Sequence, residues 1–148
     1  MAILLKGKQT DLDGFSVNRI LPHPKKRMVG PFIFLDHMGP AIFEPGDGID
    51  VRPHPHVGLA TITYMLEGCL LHRDSLGNNI EILPGDVNWM TTGRGIVHSE
   101  RETFEVKSQR HVLNGMQAWL ALPKESAEIQ PSFSHTKRCQ LPHHIFDS

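Results

Sequence analysis

Cysteine is nearly absent from this chain. Cys69 and Cys139 are the whole complement, far apart and in no metal-binding or redox spacing. A disulfide framework is therefore ruled out, and two free thiols fit a reducing, cytoplasmic compartment. Long apolar runs are lacking too: nothing approaches the roughly 20 residues that a helix needs to cross a bilayer. The apolar start, Met-Ala-Ile-Leu-Leu, is too short for a signal peptide, and no cleavage pattern follows it. Net charge is also missing, because 15 Lys and Arg stand against 16 Asp and Glu. That balance offers no electrostatic case for binding nucleic acid. The single basic cluster, Lys25-Lys26-Arg27 after Pro24, is expected to be a solvated loop. No repeat, low-complexity tract or linker interrupts the 148 residues, so one domain over 1–148 is expected. A hydrophobic share of 39% against 21% charged residues is globular rather than disordered or membrane-bound.

A sustained helical period is absent as well. Breakers recur at short intervals, among them Gly30-Pro31, Gly39-Pro40, Pro45-Gly46, Gly77-Asn78 and Pro84-Gly85. Between them the residues alternate or are β-branched, which predicts strands over 58–68, 70–74, 80–83, 86–90, 96–100 and 117–122. Ser75-Leu76-Gly77-Asn78 carries the turn chemistry of a hairpin between the second and third of these. Many short strands at this spacing predict an all-β sandwich or barrel rather than βαβ units. The tail after Pro123 is turn-rich and predicts no defined element.

What the chain holds in excess is histidine, 10 residues of 148. At that frequency about 0.7 His-x-His triplets arise by chance, so a triplet needs structural context. His54-Pro55-His56 alone also describes two solvated loop histidines. Pro55 withdraws a ladder donor, which places the segment at a strand start or sheet edge. His98-Ser99-Glu100 alters the balance. It follows the glycine turn Gly93-Arg94-Gly95 on a strand whose inward residues would be Ile96, His98 and Glu100. Residues at i and i+2 of a strand share a face, and a His and a Glu turned into a barrel are costly to bury unpaired. On neighbouring strands, His54, His56, His98 and Glu100 would converge on one point. Three nitrogens and one oxygen suit a divalent transition metal better than calcium or magnesium. Such a shell leaves open positions at a five- or six-coordinate ion, unlike a closed structural site.

The residues also resemble a known family. His54-Pro55-His56 preceded by Gly48, then Gly68, then Gly93-x-Gly95-x-x-His98, is similar to the two-part cupin signature. The wider wording resembles pirins: LPHPKKRMVGPFIFLDHMGP (21–40), RPHPHVGLATITYMLEG (52–68), HRDSLGNN (72–79), PGDVNWMTTGRGIVHSE (84–100) and GMQAWLALP (115–123). The likeness runs from about Phe15 to Phe133. It implies a single cupin-type β-barrel, a double-stranded β-helix or jelly roll, with His54, His56, His98 and Glu100 as metal ligands. Two departures stand out. Ala60 occupies the position where cupins commonly place a glutamate, and pirins usually carry two cupin domains where this chain resembles the first alone. The missing second domain would leave a sheet face or edge open, which leads us to expect a homodimer, with residues from Pro123 onward packed or exchanged across the interface.

The resemblance implies iron(II) as the ion, although imidazole also accepts manganese, cobalt, nickel, copper and zinc. It further implies flavonol dioxygenation of the quercetin 2,3-dioxygenase type, with Glu100 as ligand and general base together. The alternative it carries is a non-enzymatic, metal-dependent regulator that binds a transcriptional or metabolic protein partner. Other residues have plainer expectations. His37 is expected to be a hydrogen-bonded structural residue. His23, His72, His111, His135, His143 and His144 are expected at the surface or in packing, and Trp89, Met90 and Trp119 in the core, one of them at a cavity mouth. No Ser-His-Asp order, phosphate-cradling loop or cysteine nucleophile has a credible context.

Overall fold

A computed structural model of the chain describes residues 2–12, 15–142 and 144. In chain order its strands are β1 (Lys8–Asp11), β2 (Ser16–Leu21), β3 (Phe32–Phe43), β4 (Asp50–His56), β5 (Leu59–Glu67), β6 (Leu70–Asp74), β7 (Asn79–Ile82), β8 (Val87–Thr91), β9 (Ile96–Arg101), β10 (His111–Ala121) and β11 (Ser132–Thr136). One short helix, α1 (Phe104–Lys107), links β9 to β10, and the Thr103 side chain caps its first turn. The strands form two antiparallel sheets, a seven-stranded one in the order β1-β2-β3-β10-β5-β8-β11 and a four-stranded one in the order β4-β9-β6-β7. Among the described residues no helix is long and apolar enough to cross a membrane.

The predicted strands fall on β5 to β9, with β6 matching residue for residue, while 117–122 caught only about the second half of β10. The twelve-residue β3 was hidden, because Gly39-Pro40 reads as a break. In the structure that pair sits in a bulge, where the β3–β10 register slips between Leu113 and Gly115. The tail after Pro123 is more ordered than its composition suggests: β11 pairs with β8 of the same chain. Pro55 behaves as expected, since β4 is the edge strand of its sheet. The Lys25-Lys26-Arg27 cluster is exposed.

Inward alternation builds two different ends inside the barrel. Val17, Met38, Phe43, Met65, Leu70, Ile82 and Leu113 interlock as an apolar core drawn from both sheets. Toward the other end the inward residues turn polar, with Thr61, Thr63 and Gln117 buried on β5 and β10, and His72 and His98 on β6 and β9. Met90 is buried as expected. Trp89 is not: it is 39% exposed, because Asn88 and Met90 take the inward side of β8 and leave residue 89 facing out.

Gly68 turns the corner from one sheet to the other at φ 80°, and a Cβ there would overlap the backbone carbonyl of Val112. Gly77, in the β6–β7 turn at φ 90°, faces open space. Gly77→Ala should therefore lose only the left-handed penalty of about 1–2 kcal/mol. Gly68→Ala adds a clash with backbone that cannot rotate away, and should lose at least about twice as much. Urea midpoints of the two variants compare them directly.

Candidate metal centre

The β4–β9 ladder sets His54 directly opposite His98, with His56 opposite Ile96 and Val51 opposite Glu100. Because side chains alternate, His54, His56, His98 and Glu100 all project to the same side of this strand pair. The three imidazoles meet there, with ring centroids 4.9 Å apart for His54 and His56, 4.4 Å for His54 and His98, and 5.0 Å for His56 and His98. One ring nitrogen from each lies within 4.8 Å of the others.

The hydrogen bonds suit a ligand role. His54 Nδ1 lies 2.9 Å from the Arg52 carbonyl oxygen, which can only accept, so the proton sits on Nδ1 and the lone pair on Nε2. His98 Nε2 is buried with no hydrogen-bond partner. A buried, orphaned ring nitrogen beside two other imidazoles has the chemistry of an ion site, since leaving it unpaired is costly. Burial first, and the neighbouring imidazoles second, depress the pKa of His98 to about 3; burial and then His54 depress that of His56 to about 4. Both are therefore neutral near pH 7, the form that binds metal.

Glu100 lines the same cavity as His54 and His56. Burial is the largest influence on its carboxyl and raises the pKa above the usual range, against opposing effects from His72, His54 and Thr63. The Thr63 hydroxyl lies 3.3 Å from Glu100 Oε1 and 2.8 Å from Gln117 Oε1, so its single proton serves one of the two at a time.

The cavity holds about 580 Å³, lined mostly by apolar side chains from β2, β3 and the loops before β2 and β4. One wall is a continuous stack. The Arg19 guanidinium lies 4.6 Å over Phe34 and is held by Asp36 through bonds of 2.9 and 2.8 Å. Phe34 stacks on Trp119 at 4.1 Å and 14°, and Trp119 meets His56 edge-on at 4.9 Å. Trp119 thus lines the cavity, and its buried Nε1 has no hydrogen-bond partner.

Thr63, Gln117, Phe34, Arg19 and Asp36 were not singled out in the sequence, since no local motif marks them. Only the alternation along β5 could have turned Thr63 inward. The other histidines behave as structural residues: His37 Nε2 is 2.9 Å from Asn114 Oδ1, His111 stacks on Phe43 at 5.3 Å, and His135 Nδ1 is 2.7 Å from Asn88 Oδ1. His72 is packed as expected, stacking on Phe133 at 4.5 Å, but it also touches His98. His143 lies outside the described residues.

Two antiparallel sheets closing on an inward histidine cluster define a cupin. The sequence profile described as Pirin matches residues 14–120, and the chain belongs to the pirin family. It is 52% identical over 146 residues to a pirin-like protein of Caulobacter vibrioides, covering 96% of this chain and 50% of that one. Rat pirin is 31% identical over 140 residues, covering 94% and 45%. A crystal structure of quercetin 2,3-dioxygenase from Acinetobacter baumannii superposes with a TM-score of 0.82 at 41% identity, covering 88% of this chain and 42% of that one. The chain thus spans about half the length of these relatives.

The depressed pKa values have a consequence for the metal-free fold. Unfolded, both imidazoles titrate near the ordinary 6.5, so below that pH the unfolded state binds more protons than the folded one. The contribution of His56 and His98 is therefore fully present above pH 6.5 and is lost as pH falls toward about 4 and 3 respectively. Melting temperatures of metal-free protein should decline as pH drops below 6.5, and His98→Asn should show a shallower decline. Parallel slopes for the two proteins would contradict this.

Proposed function

We propose that the chain holds one divalent transition ion through His54, His56 and His98, with Glu100 as fourth ligand, and that it oxygenates a flavonol-like aromatic substrate. The observation that carries the reading is the buried, unpartnered Nε2 of His98 within 4.8 Å of its two fellow imidazole nitrogens. The mixed imidazole–carboxylate set favours iron(II), while manganese, cobalt, nickel, copper and zinc suit the same donors. When bound, the ion supplies a Lewis-acid and redox centre at which dioxygen chemistry on an electron-rich aromatic becomes accessible.

The protein's own residues do the rest. The Phe34–Trp119 stack offers a flat wall for a planar ring system. The orphaned Trp119 Nε1–H is a donor for an oxygen substituent of that ring. The apolar lining excludes water from the bound ring. Glu100, with its raised pKa, is suited to take the proton of a substrate hydroxyl onto its carboxylate. Thr63 is placed to donate to Glu100 or to Gln117 as that proton moves. The name of the Acinetobacter relative, quercetin 2,3-dioxygenase, supports the substrate class.

Aerobic incubation of iron-loaded protein with quercetin should remove the flavonol absorbance with matching oxygen uptake. Glu100→Gln should lower turnover by about 10²- to 10⁴-fold, the usual range for a lost general base. It should keep most of the metal, whereas His98→Ala should lose the metal itself by elemental analysis. Stoichiometric metal in His98→Ala would overturn the ligand set. Metal binding without turnover, across several ions, would transfer the reading to metal-dependent binding of a protein partner.

A further inference from the structure

The segment HRDSLGNN (72–79) runs from β6 into the β6–β7 turn, and no catalytic or ligand role draws on it. Strand β6 lies on the other side of β9 from β4, and its register sets His72 opposite Glu100 and Asp74 opposite His98. The Asp74 side chain is fully buried. Its Oδ1 accepts from the backbone N–H groups of Leu76 and Asn78 at 2.9 and 3.1 Å, and from Asn78 Nδ2 at 3.0 Å. Its Oδ2 accepts from Asn78 Nδ2 at 2.8 Å and lies 2.9 Å from His72 Nε2.

A carboxylate so pinned by obligatory donors can only accept from His72, which places the proton of a neutral His72 on Nε2 and a lone pair on Nδ1. That Nδ1 lies 3.4 Å from His98 Nδ1, so His98 donates from Nδ1 and keeps the lone pair on its buried, unpartnered Nε2. Phe133 stacks on the His72 ring at 4.5 Å and 19°, which limits its tilt.

We propose that His72 and Asp74 are positioning residues, a fixed relay from the β6–β7 turn that sets the tautomer and ring orientation of His98 and presents Nε2 as its ligand nitrogen. This rests on the metal reading above for its purpose, but the tautomer is a property of the metal-free protein and is measurable without an ion.

Two readouts on the full chain test it: long-range ¹H–¹⁵N imidazole spectra without metal, and zinc affinity by chelator competition. In wild type, His98 should be protonated on Nδ1. His72→Phe keeps a ring against Phe133 but removes the acceptor. It should move the His98 proton to Nε2 and weaken zinc binding by about 10- to 100-fold, the range for a lost outer partner of a ligand. His72→Asn returns an acceptor near the position of Nδ1 and should restore the wild-type tautomer and most of the affinity. An Nε2-protonated His98 in wild type overturns the relay even if His72→Phe fails to fold. Unchanged tautomer and unchanged zinc affinity in His72→Phe also overturn it. Wild-type protein that shows the tautomer shift on substitution yet binds no zinc upholds the relay and removes the metal reading instead.

Discussion

The candidate site depends on one register. Antiparallel pairing of β4 with β9 sets His54 against His98, and from that single cross-strand pair the period-two alternation carries His56 and Glu100 to the same face. A slip of β4 by one residue would turn His54 and His56 outward, away from His98 on β9, which β6 holds in place from its other side. A bulge between Val51 and His54 adjusts the ladder just before the histidines. Two of the three imidazoles sit on an edge strand that has one sheet neighbour. An ion shared by His54, His56 and His98 would thus fasten that edge to the strand beside it, making metal and local sheet order mutually supportive.

The barrel interior divides its labour along its length. Met65, Leu113 and Ile82 fill one end with apolar volume, and a mostly apolar cavity opens beyond them, with buried polar groups gathered on β5, β9 and β10. Buried polar residues are tolerable there because they satisfy one another: Thr63 reaches both Gln117 and Glu100, and Asp74 gathers donors from its own turn. Among the buried atoms without a hydrogen-bond partner, His98 Nε2 and Trp119 Nε1 belong to side chains at this site and are open to a partner from outside. Cost concentrated at such points is a common trait of binding sites.

Much of this was legible beforehand because it is written in local patterns. Alternation and turn glycines located β5 through β9, and two i, i+2 strings named the histidines that meet. The remainder is encoded non-locally. Strand β3 was obscured by Gly39-Pro40, whose breaking character is absorbed by a bulge visible only against β10. Strand β11 has little apolar signal of its own and exists as an added edge on β8. The Arg19–Phe34–Trp119–His56 wall joins four strands far apart in the chain, so no window of sequence contains it. Trp89 shows the opposite error, where residue type suggested the interior but alternation against Asn88 and Met90 decided otherwise.

Phe133 belongs to β11, after the 14–120 stretch that the family profile matches, and its ring lies flat against His72. The histidines that would grip an ion thus lie on β4 and β9, while a prop behind His72, their neighbour on β6, comes from an edge strand of the other sheet. Exchange of that one ring for a smaller or a more mobile side chain would loosen His72 without altering any ligand. How firmly an ion would be retained is in this way set partly by an aromatic ring that touches none of the three imidazoles meant to hold it.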